Sequence, residues 1–227
     1  MKIAALALAA AVSNVASASF VDFYTTSVTT SSNGITVDVY TLWARFDGAT
    51  DTVLNAFNFN RIDSNTTNIF YHKDNAENND GVMMKEFGTW APQLTGSAVN
   101  NRPFDSFLTI GGTSGAANTS AADPSWPAAG SGWNRPDVPN NLNVGWYNSN
   151  PPSLQGRVGV GTNGVDSVRL GQFVVDAGSN GGTWNLKIAY NNASSSTVNF
   201  SQSTFTLPAP GAIALVGLAG LVGRRRR

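Results

Sequence analysis

The chain has 227 residues, no cysteine, a single histidine, and 14 basic residues against 14 acidic ones. Without thiols it has no disulfides, thiolate nucleophile or thiolate metal site, and one imidazole cannot build a histidine metal cluster. The neutral balance hides an asymmetry: Lys2 and Arg224 to Arg227 sit at the two ends, so residues 19–207 carry nine basic against 14 acidic residues, a net charge of −5. An acidic domain of this kind argues against nucleic acid or an anionic membrane surface as its partner.

The chain opens with a minimal positive pair, Met1-Lys2, followed by an apolar, Ala-rich run from Ile3 to Val12. Ala16-Ser17-Ala18 is a small-residue A-x-A site, so residues 1–18 read as a signal peptide cleaved before Ser19. The apolar run is too short to span a bilayer.

From there nearly every signal is β. Phe20 to Thr30 is rich in aromatic, Val and Thr residues. In Gly34 to Phe46, Ile35, Val37 and Val39 share one face, and the apolar set then moves to Tyr40, Leu42, Ala44 and Phe46. That shift predicts either a bulge or a strand buried on both sides. Val53 to Arg61 reads as a strand with Val53, Phe57 and Phe59 on one face. Shorter strands are expected at Asn68 to His72 and at Ser106 to Ile110, the latter broken by Gly111-Gly112. Further strands are expected at Arg157 to Val160, Val168 to Val175, Thr183 to Tyr190 and Thr197 to Leu207. In the third of these, Trp184, Leu186, Ile188 and Tyr190 alternate with Asn185, Lys187 and Ala189, the period of a half-buried strand. Val198 and Phe200 are expected to do the same in the last one.

Clusters of Gly, Asn, Ser, Asp and Pro punctuate these segments, and no capped 3.6-residue pattern interrupts them. The expected fold is all-β: a single β-sandwich over residues 19–207, with a barrel or jelly roll as near alternatives. The 189 residues suffice for one core. The stretch from Gly111 to Pro152 is long, polar and poor in strand signals, and loops of that length are often functional.

Residues that could carry chemistry are few. His72 stands beside Tyr71 and Lys73 at a strand end, with no G-x-S-x-G elbow to pair with, and reads as a surface side chain. Glu77 and Glu86, the only glutamates, flank Asp80 in an Asn-rich turn and read as solvated acids rather than a glycosidase pair. Asp74, Glu77 and Asp80 resemble a calcium loop in composition but miss the EF-hand order at Ala76; Asp47 and Asp51 in FDGATD form a second acidic turn. No cofactor is expected. Trp126, Trp133, Trp146 and Tyr147 fall in the Gly/Pro/Asn-rich region. Flat rings beside amides suit a sugar surface, because ring faces stack and amides bond hydroxyls; the competing role is to pin long loops onto the core.

The last segment is Leu207 to Arg227, LPAPGAIALVGLAGLVGRRRR. Pro208 and Pro210 each fix φ and remove a backbone donor, Gly211 loosens the chain, and Ala212 to Gly223 is uncharged throughout. As a helix it rises only about 20 Å, short of the roughly 30 Å hydrocarbon core. Glycines at 217, 220 and 223 would let another helix approach, and Arg224, Arg225, Arg226 and Arg227 hold the end on the cytoplasmic side.

Pro208-Ala209-Pro210-Gly211, the short apolar helix and the arginine cluster resemble the PEP-CTERM sorting signal of exported bacterial proteins, with Ala209 where that family usually has glutamate. The resemblance implies recognition by a membrane-embedded exosortase, transient insertion through residues 212–223, and cleavage near the tripeptide. GITVDVYTLWARFDGATDTVLNAFNFN, DSFLTIGG, GWYNSNPPSLQGRVGVG and RLGQFVVDAG are similar to ectodomains that accompany such tails in planctomycete-type proteins, and the pattern also resembles cohesin-like or immunoglobulin-like sandwiches. Neither resemblance implies an activity. The expected protein is therefore a non-enzymatic, exported surface or matrix protein, with residues 208–227 as its sorting signal. The alternative is a carbohydrate-binding module, calcium-assisted or not, acting on exopolysaccharide.

Overall fold

The computed structural model describes residues 19–32, 34–63, 69–71, 73–74, 83–85, 88–90, 104–112, 119–122, 134–135, 138, 144–192 and 197–208. The described chain is all-β. Its strands are β1 (Phe20–Ser32), β2 (Ile35–Phe46), β3 (Asp51–Arg61), β4 (Lys73–Asp74), β5 (Met83–Met84), β6 (Gly88–Thr89), β7 (Phe107–Leu108), β8 (Ser120–Ala122), β9 (Asn134–Arg135), β10 (Trp146–Asn148), β11 (Ser167–Asp176), β12 (Gly182–Asn192) and β13 (Asn199–Leu207). The described residues include the 3₁₀ turn Pro151–Ser153 and no α-helix.

Two antiparallel sheets hold the long strands. The first has the order β1-β2-β11-β7 and the second β13-β12-β3-β10-β8; β4-β5 and β6-β9 are two-stranded ribbons. The chain passes from the first sheet to the second after Phe46, between β7 and β8, and after Asp176. One large apolar cluster draws on both sheets, including Phe23, Tyr40, Leu42 and Phe173 from the first and Phe59, Trp146, Trp184, Leu186 and Phe205 from the second.

The register explains several faces that alternation alone leaves open. β2 pairs with β1 without a bulge past Asp22, so its apolar shift reflects burial on both sides. Tyr40, Leu42, Ala44 and Phe46 enter the main core. Ile35, Val37 and Val39 lie on the opposite face with Tyr71, Phe104 and Val174. The covering segment is fixed by Tyr71 N–H to Val174 O at 2.9 Å and Ser106 N–H to Tyr71 O at 2.7 Å. Residues 69–71 therefore form a covering segment rather than the expected strand, while Asn68 and His72 lie outside the described residues.

β3 departs further. Between its pairings Asn60–Asn185 and Phe57–Lys187 it holds one residue more than β12, and again between Asn55–Ala189 and Val53–Tyr190. Each extra residue flips the alternation. Asn58 takes a positive φ of 54° at the first of these bulges, a conformation that asparagine tolerates better than most residues. Val53, Ala56, Phe59 and Arg61 consequently face inward. Phe57, expected beside Val53 and Phe59, is on the outer face. In β13 the alternation is present with the faces exchanged: Phe205 and Leu207 are buried, whereas Val198 and Phe200 are 41% and 59% exposed.

The expected strand at Arg157 to Val160 is a series of turns that touches β3 through one bridge, Thr52–Arg157. Side-chain amides hold it. Asn163 Nδ2 donates to the carbonyls of Gln155 at 2.9 Å and Arg157 at 2.7 Å, and Asn163 Oδ1 accepts the Arg169 N–H at 3.0 Å. The polar stretch from Gly111 to Pro152 contributes β8 and β10 to the second sheet, neither of which carried a strand signal. Their three-residue length explains that silence.

Both ends of the described domain are tied down. Ser19 N–H donates to Asp47 Oδ1 at 2.9 Å, and Asp47 N–H returns to Ser19 O at 3.1 Å. At the other end the Tyr40 hydroxyl donates to the Pro208 carbonyl. Burial, then the nearby charge of Asp38, pushes the Tyr40 phenol up to about 12, so it stays a donor at any physiological pH.

Candidate functional site

Of the residues singled out from the sequence for sugar contact, Trp146 and Tyr147 are described, and they part company. Trp146 is 1% exposed. Its indole Nε1–H donates to Thr109 O at 2.7 Å and its ring meets Phe59 edge-on at 5.3 Å. It is a core residue, which corrects the expectation of a sugar contact. The next residue along a strand points the other way, so Tyr147 lies on the outer face of the second sheet, half-buried. Trp126 and Trp133 lie outside the described residues, as do Ala16, Ala18, Glu77, Asp80, Ala209, Pro210, Gly211 and Arg224 to Arg227. Asp74 lies in β4.

The register brings Tyr147 into line with partners far away in sequence. Tyr147 pairs with Asn55, Asn55 with Ala189, and Ala189 with Phe200. This rung crosses β10, β3, β12 and β13, three strand spacings or roughly 14 Å. Ala189, the smallest member, is buried at 3% exposure yet belongs to neither apolar cluster, as expected for the floor of an outer face. The adjacent rung places Phe57 beside Lys187 and Lys187 beside Gln202.

The two rungs interlock. Phe57 and Phe200 meet edge-to-face, with centroids 6.3 Å apart at 86°. Lys187 Nζ stands 5.4 Å from the Phe57 centroid and 5.3 Å from that of Phe200, so both rings hold the ammonium by cation–π attraction. Beyond them is a line of amides. Gln202 Nε2 donates to Asn185 Oδ1 at 3.0 Å, and Asn185 Nδ2 donates to Asn58 O at 3.1 Å and Asn60 Oδ1 at 3.4 Å. The result is an exposed ring, a shallow floor, and pre-oriented amide groups: apolar faces for stacking beside polar atoms for hydroxyls.

Alternation in β12 already placed Asn185, Lys187 and Ala189 away from the core. What sequence reasoning missed was the company they keep. Phe57 is turned outward by the Asn58 bulge, and Phe200 belongs to the outward set of β13. Neither fact is readable without register.

The acidic turn at Asp47 and Asp51 behaves differently. Asp51 is fully buried, its Oδ1 accepts Asn192 Nδ2 at 3.4 Å, and its Oδ2 has no partner among the described residues. Among the described residues no group of three or more His, Cys, Asp or Glu is placed to hold a metal ion. Desolvation, reinforced by Asp47, raises the Asp51 carboxyl above its ordinary value of 3.8. A folded state that keeps a proton the unfolded chain has released loses stability as pH rises. This contribution is greatest below pH 3.8 and declines as pH passes through the raised folded value. Asp51→Asn is expected to remove that decline and raise the urea midpoint at pH 7. Parallel midpoint curves for both proteins from pH 3 to 7 would contradict it.

Among the described residues no helix is long and apolar enough to cross a membrane; the run at 212–223 lies outside them. Comparison with protein-family models, with curated proteins and with solved structures found no match.

Proposed function

We propose that this chain is a non-enzymatic protein of the cell surface or extracellular matrix, a β-sandwich that holds polysaccharide on the outer face of its second sheet. In this reading residues 1–18 direct export, and Pro208 to Arg227 form a Pro-x-Pro sorting signal. The tail inserts transiently through residues 212–223, with Arg224 to Arg227 kept cytoplasmic, and serves as an exosortase substrate. The all-β architecture with a core drawn from both sheets supports the sandwich. The observation that carries the binding function is the interlocked pair of rungs, with Phe200 59% exposed over an amide-lined floor.

Ring stacking against a sugar is worth about 1 kcal/mol per aromatic face, by analogy with other ring contacts. Phe200→Ala and Tyr147→Ala are therefore each expected to weaken polysaccharide binding roughly fivefold in affinity electrophoresis, with thermal midpoints little changed because both rings lie outside the core. Unchanged migration of both variants in every polymer tested would sink the binding assignment. Sorting is tested separately by deleting Pro208 to Arg227 and fractionating cells: the truncated protein is expected to leave the surface fraction, and an unchanged distribution and mature mass would rule out a sorting role for the tail.

A further inference from the structure

We propose that the polysaccharide held on this face is acidic, and that Lys187 is the group that recognises its carboxylates. This rests on the reading of the outer face as a polysaccharide platform and names the ligand's chemical class.

The five strands of the second sheet carry only three charged residues, Asp51, Arg61 and Lys187. Asp51 and Arg61 are buried at the two ends of β3. Lys187 is thus the single charge these strands put on the outer face. It sits there on a domain whose net charge is −5 and in which three other cations pair with acids, Arg45 with Asp22, Arg61 with Asp63 and Lys85 with Asp176, while Arg169 turns to the Gln172 amide and the Phe107 ring. Lys187 has no carboxylate partner among the described residues. The strands of this face add no carboxylate beside Lys187, so the face is locally complementary to a single carboxylate even though the domain's net charge of −5 repels a polyanion at longer range.

A lysine side chain is ordinarily a flexible stem, and fixing it costs rotamer entropy. Here Phe57 and Phe200 flank the ammonium at nearly equal distances, 5.4 and 5.3 Å, so part of that ordering is done before a ligand arrives. Rings attract the cation without accepting its N–H groups as carboxylate oxygens do, so the three donors remain available. A uronic acid suits this arrangement. Its carboxylate projects from the edge of the sugar ring, so the ring can stack on Phe200 while the anion reaches Lys187 and hydroxyls meet Gln202 and Asn185. A nucleic-acid backbone is a poorer fit, because it needs a track of cations and this face has one.

The test uses the full chain and two forms of one polymer, polygalacturonate and its methyl ester, which share a backbone and differ in charge. Wild-type protein is expected to bind the acid about fivefold more tightly than the ester, the upper range for one exposed charge pair, and to lose that preference in 1 M salt. Lys187→Gln should bind both forms equally, at the wild-type affinity for the ester. Phe200→Ala should weaken both forms together. Equal wild-type binding of acid and ester would overturn the role of Lys187 while leaving a neutral platform standing. Failure to bind these forms or any neutral polysaccharide would overturn the platform itself. A preference that persists in Lys187→Gln would assign acid recognition to another group.

Discussion

Phe59→Ala is expected to lower the free energy of unfolding by about 3–5 kcal/mol, the range for a large buried aromatic truncated to a methyl group. Phe59 is fully buried, and its ring is shared among the neighbours it holds apart. Trp184 stacks on it at 4.9 Å and 23°, Phe205 lies nearly parallel at 6.2 Å, Trp146 meets it edge-on at 5.3 Å, and Phe173 approaches at 5.7 Å. These partners stand on β12, β13, β10 and β11, so one ring joins strands of both sheets. The four rings left around the void cannot close over it, because each is tied to a different strand, and little of the cavity can collapse. Domains are stable by only about 5–15 kcal/mol in total, so the variant should unfold at much lower urea. Phe59→Leu, which refills much of the volume, should lose markedly less. If the alanine variant costs less than about 1.5 kcal/mol, the two sheets are not held by this ring.

The second large effect is at a glycine. Gly111 follows β7 with a φ of +76°. A Cβ there would stand 2.0 Å from the Gln155 carbonyl oxygen and 2.7 Å from Asn163 Nδ2. The backbone cannot back away easily, since Gly111 N–H donates to Arg169 O at 2.8 Å and its carbonyl accepts from Thr162 Oγ1 at 3.1 Å. Gln155 is equally fixed: its Nε2 donates to Ile110 O at 2.7 Å and its Oε1 accepts the Thr119 N–H at 2.7 Å. Gly111→Ala is expected to cost about 2–4 kcal/mol, the left-handed penalty plus overpacking against backbone. Gly159 provides the control. Its φ is +72° and nothing lies within 4 Å of its added Cβ, so Gly159→Ala should cost only the conformational part, about 1 kcal/mol. Equal losses at the two glycines would show that the contact with Gln155 is not what excludes a side chain at Gly111.

How far the sequence reached can be seen strand by strand. β12 was legible because Trp184, Leu186, Ile188 and Tyr190 alternate toward the core, and β11 because it is a dense apolar run, buried at nearly every position. β3 was legible as a strand and not as a face: two single-residue insertions turn Phe57 outward, and an insertion leaves no mark in composition. β8 and β10 were invisible because a three-residue strand is shorter than any periodicity that could announce it; the second sheet supplies their reason to be extended. The same limit governed the candidate site. Tyr147 was singled out for its ring, but so was Trp146, and only the pairing to Asn55 and Ala56 separates a surface residue from a core one. Lys187, Phe57 and Phe200 are scattered along the chain and become neighbours only through register.

The contact between Ser19 and Asp47 has one more consequence. In the uncut chain the Ser19 nitrogen is an uncharged amide that gives the Asp47 carboxylate one hydrogen bond, 2.9 Å long. If a peptidase cuts before Ser19, the same nitrogen becomes a positively charged terminus at the same place, beside a turn that holds Asp47 and the buried Asp51. Cutting then exchanges an uncharged donor for a charged one and turns the contact into an ion pair beside the buried Asp51. Maturation of such a chain would tighten the fold it releases, so that the shortened protein outlasts its precursor, and the step that sends it out would also make it harder to unfold.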